Sequence, residues 1–437
     1  MATIQQPLES LHTTFLDQPP SCLEFCPADP DYVVIGTYLL SELSSESSTV
    51  TEQIKTGTIQ LFKLDPESCQ LTQIHKTLLP HAVFDLHFSP RDQSQFAIAT
   101  SAASVSLYRL EYSSPKAPSS IVHLTTIPVH EDPSIPALYL SWLPPPPLLA
   151  GDKRVKHSHG RDHSPSQLST DGFAVSFSDG RVSIFHTNPP SHDFSKESMT
   201  EIVLPGEPIE VWFTTFHYGR SLSGEEHLTL FSGDDFGGLR VHEFAGDGDE
   251  GSRMLWDDGQ FTAQTMEVTV GRKHYGAGVT AILPLFTEGG ETVLLTGSYD
   301  EYLRVYKFTG RGSVLAEERL GGGVWRLKII REVEDEILAL EWPSRTGRSR
   351  SYLVLASCMH AGGRIVRVTC SLGSEGDAPR VGSWSIETLA QFTEHESMNY
   401  ASDIWRGREE GETQGDPLLC VSSSFYDKRV CIWKAKV

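Results

Sequence analysis

VLLTGSYDEYLRVYKF, residues 293–308, decides the fold. A largely β-branched and apolar run ends in a Gly-Ser-Tyr-Asp turn, and a second strand then leads into terminal aromatics. The same pattern returns at LLCVSSSFYDKRVCIWKA (418–435), LTLFSGDDFGGLRVHEF (228–244) and FAVSFSDGRVSIFHT (173–187). Weaker copies are FAIATSAASVSLYRL (96–110), YVVIGTY…GTIQLFKL (32–64, with an insert) and YLVLASCMHAGGRIVRV (352–368). A further strand precedes the copies: SCLEFCP (21–27), VFDLHFSP (83–90), ALYLSWLP (137–144), IEVWFTTF (209–216), GVTAILPLF (278–286), GGVWRLKII (322–330) and YASDIWRG (400–407).

Seven copies at spacings of roughly 45 to 75 residues predict an all-β, seven-bladed propeller of WD40 type, with 1–437 as a single domain. Each blade has an inner strand, two central strands and a variable outer one. A lone blade cannot cover its faces, so stacking around an axis stabilises all of them. The last copy stops after its third strand. The N-terminal stretch around Leu8–Leu16 is expected to supply the fourth and to close the ring. Exposed, mobile inserts are expected near 41–56, 144–170, 245–262, 331–350, 371–392 and 408–416.

The bulk numbers narrow the class. A chain of 437 residues, 39% apolar and 21% charged, can bury a core and is not of disordered composition. No apolar run approaches the ~18 residues a membrane helix needs. MATIQQPLESLHTTF lacks the basic-then-apolar layout of a secretory signal. The seven cysteines are odd in number and make no C-x-x-C pair, and several sit in strand-like runs; they read as reduced thiols of a cytosolic or nuclear protein, and a cytoplasmic one is expected. A net charge of −21 argues against nucleic acid and suits a cationic partner. A ring closed by its own termini is expected to be a monomer.

Asp235, Asp300 and Asp427 fall at one equivalent turn position and read as structural acceptors. His157, His159 and His163 in KHSHGRDH lack the ligand order of a metal site, and no P-loop, dinucleotide fingerprint or nucleophile elbow is present. Three segments exceed what the repeat requires. GGGVWRLK (321–328) sets glycines before Trp325 and Arg326. CMHAGG (358–363) has His360 where other blades carry Asp. HESMNYASDIW (395–405) gathers His395, Glu396, Tyr400 and Asp403. Loops entering inner strands line one face of a propeller, so these groups converge there. A histidine with a carboxylate is the equipment for activating water towards an ester, and Trp and Tyr rings attract alkylammonium groups. Buried hydrogen-bonded packing is the competing reading of each residue.

The ordered set EFCP, IGTY, GDDFGGLR, TGSYDEYLRVY, GGGVWRLK, CMHAGG, HESMNYASDIW and SSSFYDKRVCIW, from about Cys22 to Trp433, is similar to the diphthine methyl ester hydrolase family. These WD40 proteins of diphthamide biosynthesis are also called diphthine methyltransferase. GSYDE recurs in many WD40 chains, whereas GGGVWR, CMH-x-G and H-x-S…Y…D-x-W in order are far more specific. GDDFGG departs by one extra turn residue. The resemblance implies a methylesterase acting on elongation factor 2. It removes the ester methyl from methylated diphthine as methanol, beside a trimethylammonium group, without metal or organic cofactor. By motif position it points to His360 or His395 as the base, Glu396 or Asp403 as orienting carboxylates, and Trp325, Arg326 and Tyr400 as pocket walls. A non-catalytic interaction scaffold is the alternative.

Overall fold

The computed structural model describes the chain except 1–6, 44–51, 115–116, 146–170, 188–193, 196, 205, 221–225, 245–267, 289–290, 309–311, 339–345, 373–381 and 408–416. The described residues hold 29 strands in seven sheets and no helix.

Central strands such as β3 (Tyr32–Thr37), β8 (Gln95–Thr100) and β12 (Gly172–Phe177) are buried at every position. Neighbouring blades cover both of their faces, which is why they read as unbroken apolar runs. The outer strand β26 (Ser383–Phe392) alternates instead, with one side in solvent. Blade one is built on β2 (Pro20–Phe25), β3, β5 (Glu52–Asp65) and β6 (Gln70–Leu79). The next four blades open on β7 (Val83–Phe88), β11 (Ala137–Trp142), β15 (Val211–Arg220) and β19 (Val279–Glu288). Blade six runs β23 (Arg326–Leu338), β24 (Thr346–Ser357), β25 (Gly363–Leu372), β26.

Blade seven has β27 (Ala401–Ile404), β28 (Leu418–Ser424) and β29 (Arg429–Ala435), and its outer strand is β1 (Ser10–Phe15). β1 pairs antiparallel with β29, so the N-terminus closes the ring as expected. Leu8 N donates to Gln391 O at 2.8 Å and Leu16 N to Lys428 O at 2.8 Å, fastening both ends of that strand.

Three of the expected inserts are partly regular. β4 (Leu39–Leu43) pairs with the first residues of β5, so 41–43 and 52–56 form a hairpin rather than a loose insert. β23 and β24 extend into 331–338 and 346–350. The expectation for 371–392 is corrected most, because Ser383–Phe392 is the outer strand of blade six. Outer strands face solvent on one side and carry charge there, which makes them resemble loops in composition. The other stretches, 144–170 with its three histidines, 245–262 and 408–416, lie almost wholly outside the described residues.

Each blade is antiparallel, so the loops entering the inner strands and the turns between second and third strands share one face. GGGVWRLK, CMHAGG and HESMNYASDIW all reach that face.

Candidate functional site

A cavity of about 120 Å³ lies on the axis beneath that face. Its wall comes from inner strands of several blades: Ser21 and Glu24 on β2, Asp85 and His87 on β7, Tyr139 on β11, Arg326 and Lys328 on β23, with Ser357, Tyr400 and Ser402 nearer the face.

Charged side chains organise the axis. Lys328 Nζ stands 2.5 Å from Asp403 Oδ2 and 3.4 Å from Glu24 Oε1. His87 places Nδ1 3.4 Å from Glu24 Oε2 and Nε2 3.1 Å from Asp85 Oδ2. That second contact is close enough for an ion pair but off the line of a hydrogen bond. The three carboxylates also clamp the ring. Asp403 accepts from Phe25 N of the next blade at 2.9 Å, Glu24 from Phe88 N at 2.9 Å, and Asp85 from Leu140 N at 3.1 Å. One acid per inner strand thus satisfies a backbone N–H on the neighbouring inner strand, three blades in succession. Burial alone would raise the Glu24 carboxyl, but Lys328 and His87 outweigh it and hold it at about 2. Burial would lower His87, yet Asp85, with Tyr139 and Glu24, holds it well above the usual histidine range.

Half-buried aromatic rings form an arc that reaches the cavity wall at Tyr400. Tyr38 of blade one meets Phe84 of blade two at 5.3 Å and Phe425 of blade seven at 6.1 Å. Phe425 meets Tyr400 at 5.4 Å, Tyr400 meets Trp325 at 5.2 Å, and Trp325 meets both Tyr299 and Trp212 at 5.6 Å. The arc therefore crosses blades one, two, four, five, six and seven. Its centre, Trp325, is fixed by its own backbone, with Trp325 N donating to Ser357 O at 2.8 Å. The preceding glycines make that approach possible. Gly321 has φ +88°, and a side chain on Gly322 would lie 2.3 Å from the carbonyl oxygen of Cys358. The Arg326 guanidinium lies beneath, 4.7 Å from the ring centres of both Trp325 and Tyr139.

The structure brings Trp325, Arg326 and Tyr400 together, and does not bring the four expected acid–base residues together. His360 stands exposed in the turn after β24. His395 is buried inside blade seven, its Nε2 2.7 Å from Ser422 Oγ, which also accepts from Trp433 Nε1 at 3.0 Å. Burial pushes the His395 imidazole down to about 4. Glu396 is exposed and pairs with Arg429 at 2.8 Å. Asp403 is buried at the axis against Lys328.

The turn aspartates need one correction. Asp300 accepts from Gly276 N and Tyr302 N, and Asp427 from Glu396 N, as the repeat requires. In GDDFGG the extra residue shifts that role to Asp234, which accepts from Phe236 N and Gly238 N. Asp235 is thereby released towards the aromatic arc, where it accepts from Trp212 Nε1 at 2.7 Å.

Among the described residues no three His, Cys, Asp or Glu side chains converge as metal ligands, and no helix is long and apolar enough to cross a membrane. All seven cysteines are free and buried.

Fold and site together define a WD40 propeller with a charged axial cavity and an aromatic mouth. No family model matches the chain. It is similar over 422 residues, 97% of its length and 96% of the other protein's, to diphthine methyltransferase of Schizosaccharomyces pombe, at 26% identity. The similarity carried by the motifs therefore extends along almost the whole chain. Among solved structures, Saccharomyces cerevisiae Sqt1 aligns over 99% of this chain and 100% of its own, with a TM-score of 0.48 and 10% identity.

Proposed function

We propose that this chain is a protein methylesterase of diphthamide biosynthesis, hydrolysing the methyl ester of methylated diphthine on elongation factor 2. Methanol leaves and the freed carboxylate is ready for amidation. The observation that carries the reading is the aromatic arc that reaches the cavity wall at Tyr400. The substrate sets a quaternary ammonium beside an ester, and rings such as Trp325, Tyr400, Trp212 and Tyr299 attract such a cation through their π faces. Asp235 adds a carboxylate at the rim, and the charge of −21 favours approach of a cationic loop. End-to-end similarity to a diphthine methyltransferase supports the same substrate. Buried free thiols fit a reducing compartment such as the cytoplasm, where the elongation factor works.

The test is methanol release from elongation factor 2 carrying the methylated intermediate, with the matching loss of one CH₂ in mass. Turnover by wild type, weakened in Trp325→Ala and Tyr400→Ala, is the expected result. Binding of the factor without turnover would reassign the chain to the non-catalytic scaffolds.

A further inference from the structure

The four acid–base residues picked from the motifs lie apart, and another histidine, His87, occupies the cavity wall. We propose that His87 is the proton-transferring group of the ester cleavage and that Asp85 and Glu24 are its positioning residues; the proposal rests on the methylesterase reading above.

The geometry carries it. His87 lines the cavity with its side chain 30% exposed, while its carboxylate partners are 3% and 18% exposed. Both carboxylates are held independently of the histidine by the backbone N–H groups of Leu140 and Phe88. The buried Nε2 faces the Asp85 carboxylate, whose charge favours a proton on that side, and Nδ1 has the looser 3.4 Å contact to Glu24. Nδ1 is therefore the nitrogen that exchanges a proton with water. The other groups facing the ring are Tyr139 of β11, 5.2 Å between ring centres, with Arg326 and Lys328 of β23 across the cavity and Asp403 of β27 behind Lys328.

In the cleavage, Nδ1 takes a proton from water as the water oxygen bonds to the ester carbonyl carbon. The carbonyl electron pair moves to oxygen, beside the Lys328 ammonium and the Arg326 guanidinium of the cavity wall. Collapse breaks the carbon–methoxy bond, and the methoxy oxygen leaves with the Nδ1 proton as methanol. The new carboxylic acid gives its proton to solvent, so water is the sole co-reactant. In the free protein the carboxylates keep His87 protonated above the usual range. A quaternary ammonium in the mouth repels the imidazolium and favours its neutral, basic form.

The experiment is methanol release against pH by wild type, His87→Gln and Glu24→Gln, each checked for folding. For wild type, kcat/KM is expected to rise through a limb above the ordinary histidine range, and the limb in kcat to lie at lower pH. His87→Gln is expected to lower kcat by at least ~100-fold with KM nearly unchanged. Glu24→Gln removes one carboxylate that retains the proton, and its kcat/KM limb is expected to move to lower pH. Wild-type turnover that His87→Gln matches within about threefold overturns the proposal. If His87→Gln does not fold, an unmoved limb in Glu24→Gln overturns it. A wild type that turns nothing over sinks the methylesterase reading itself, an outcome distinct from both.

Discussion

Two histidines in this propeller are largely enclosed and answer burial in opposite ways. His395, inside blade seven, meets a serine hydroxyl and stacks edge-on against Phe392 at 5.1 Å, and its imidazole is pushed down to about 4. His87, on the axis, stands between two carboxylates and is held well above its ordinary value. Desolvation acts on both in the same direction, so partner chemistry decides the sign. The first side chain is a neutral strut, part of a stack in which Phe392 and Trp433 lie 5.2 Å apart and nearly parallel. The second carries a proton into a cavity. A blade interior is built to exclude charge, and the axis, where inner strands of every blade meet, is where charge can be gathered and paired.

The sharpest way to break this contrast is at the axis. Asp403→Ala removes the nearer carboxylate of Lys328 and the acceptor of Phe25 N, leaving the cation with only the looser contact to Glu24. A loss of about 3–5 kcal/mol is expected in urea denaturation. The double variant Asp403→Ala/Lys328→Met, with no stranded cation, should recover the part of that loss owed to the charge, while Phe25 N stays unpaired. Equal instability of single and double variants would show that the pair does not act as a unit. Blade seven predicts a somewhat smaller, pH-dependent effect. With its folded value near 4 against an ordinary 6.5, His395 stays neutral in the fold while the unfolded chain takes up its proton. Its contribution is complete above pH 6.5 and is lost as pH falls towards 4, by about 3 kcal/mol. His217 and His242, also lowered to about 4 by burial, steepen the same acid limb. The measurement is therefore a difference: the stability of His395→Asn, lower at pH 7, should depend less on pH between 6.5 and 4 than that of wild type. Parallel curves would contradict the assignment of a neutral strut.

The blades were readable because each central strand announces itself in one dimension, as an apolar run, a turn and an aromatic. The closing strand was readable from the three strands left at the C-terminus. The cavity was not, because it is assembled across blades: Lys328 and Glu24 are 304 residues apart in sequence yet 3.4 Å apart in space. VFDLHF looks like any half-buried alternating strand. The signal lay in comparing inner strands with one another. Glu24, Asp85, His87, Arg326, Lys328 and Asp403 put charge on the strand nearest the axis, whereas ALYLSWLP and GVTAILPLF put none. Reading motif by motif favoured His360 and His395 because they sit in unusual segments, and His395 is unusual there for packing. Trp325, Arg326 and Tyr400 drew attention because three glycines precede the tryptophan, and the structure does set these three side chains close together. Trp212 was missed, since a single Trp in IEVWFTTF is indistinguishable from core until Asp235 is seen holding it.

The mouth predicts the smallest effects, and they sharpen the contrast between apolar and charged recognition. Tetramethylammonium should inhibit methanol release competitively, and Trp325→Ala should weaken that inhibition by about 0.5–2 kcal/mol, up to roughly 30-fold. Asp235→Asn is milder by construction. Asparagine keeps an oxygen for Trp212 Nε1, so the ring stays in place and only the charge is removed. A loss of about 0.5–1 kcal/mol is expected at low ionic strength. Because Asp235 is partly exposed, that loss should vanish in high salt, while the Trp325→Ala deficit persists. A salt-independent loss in Asp235→Asn would mean that the residue acts by positioning Trp212, and the mouth would then recognise its cation through the rings alone.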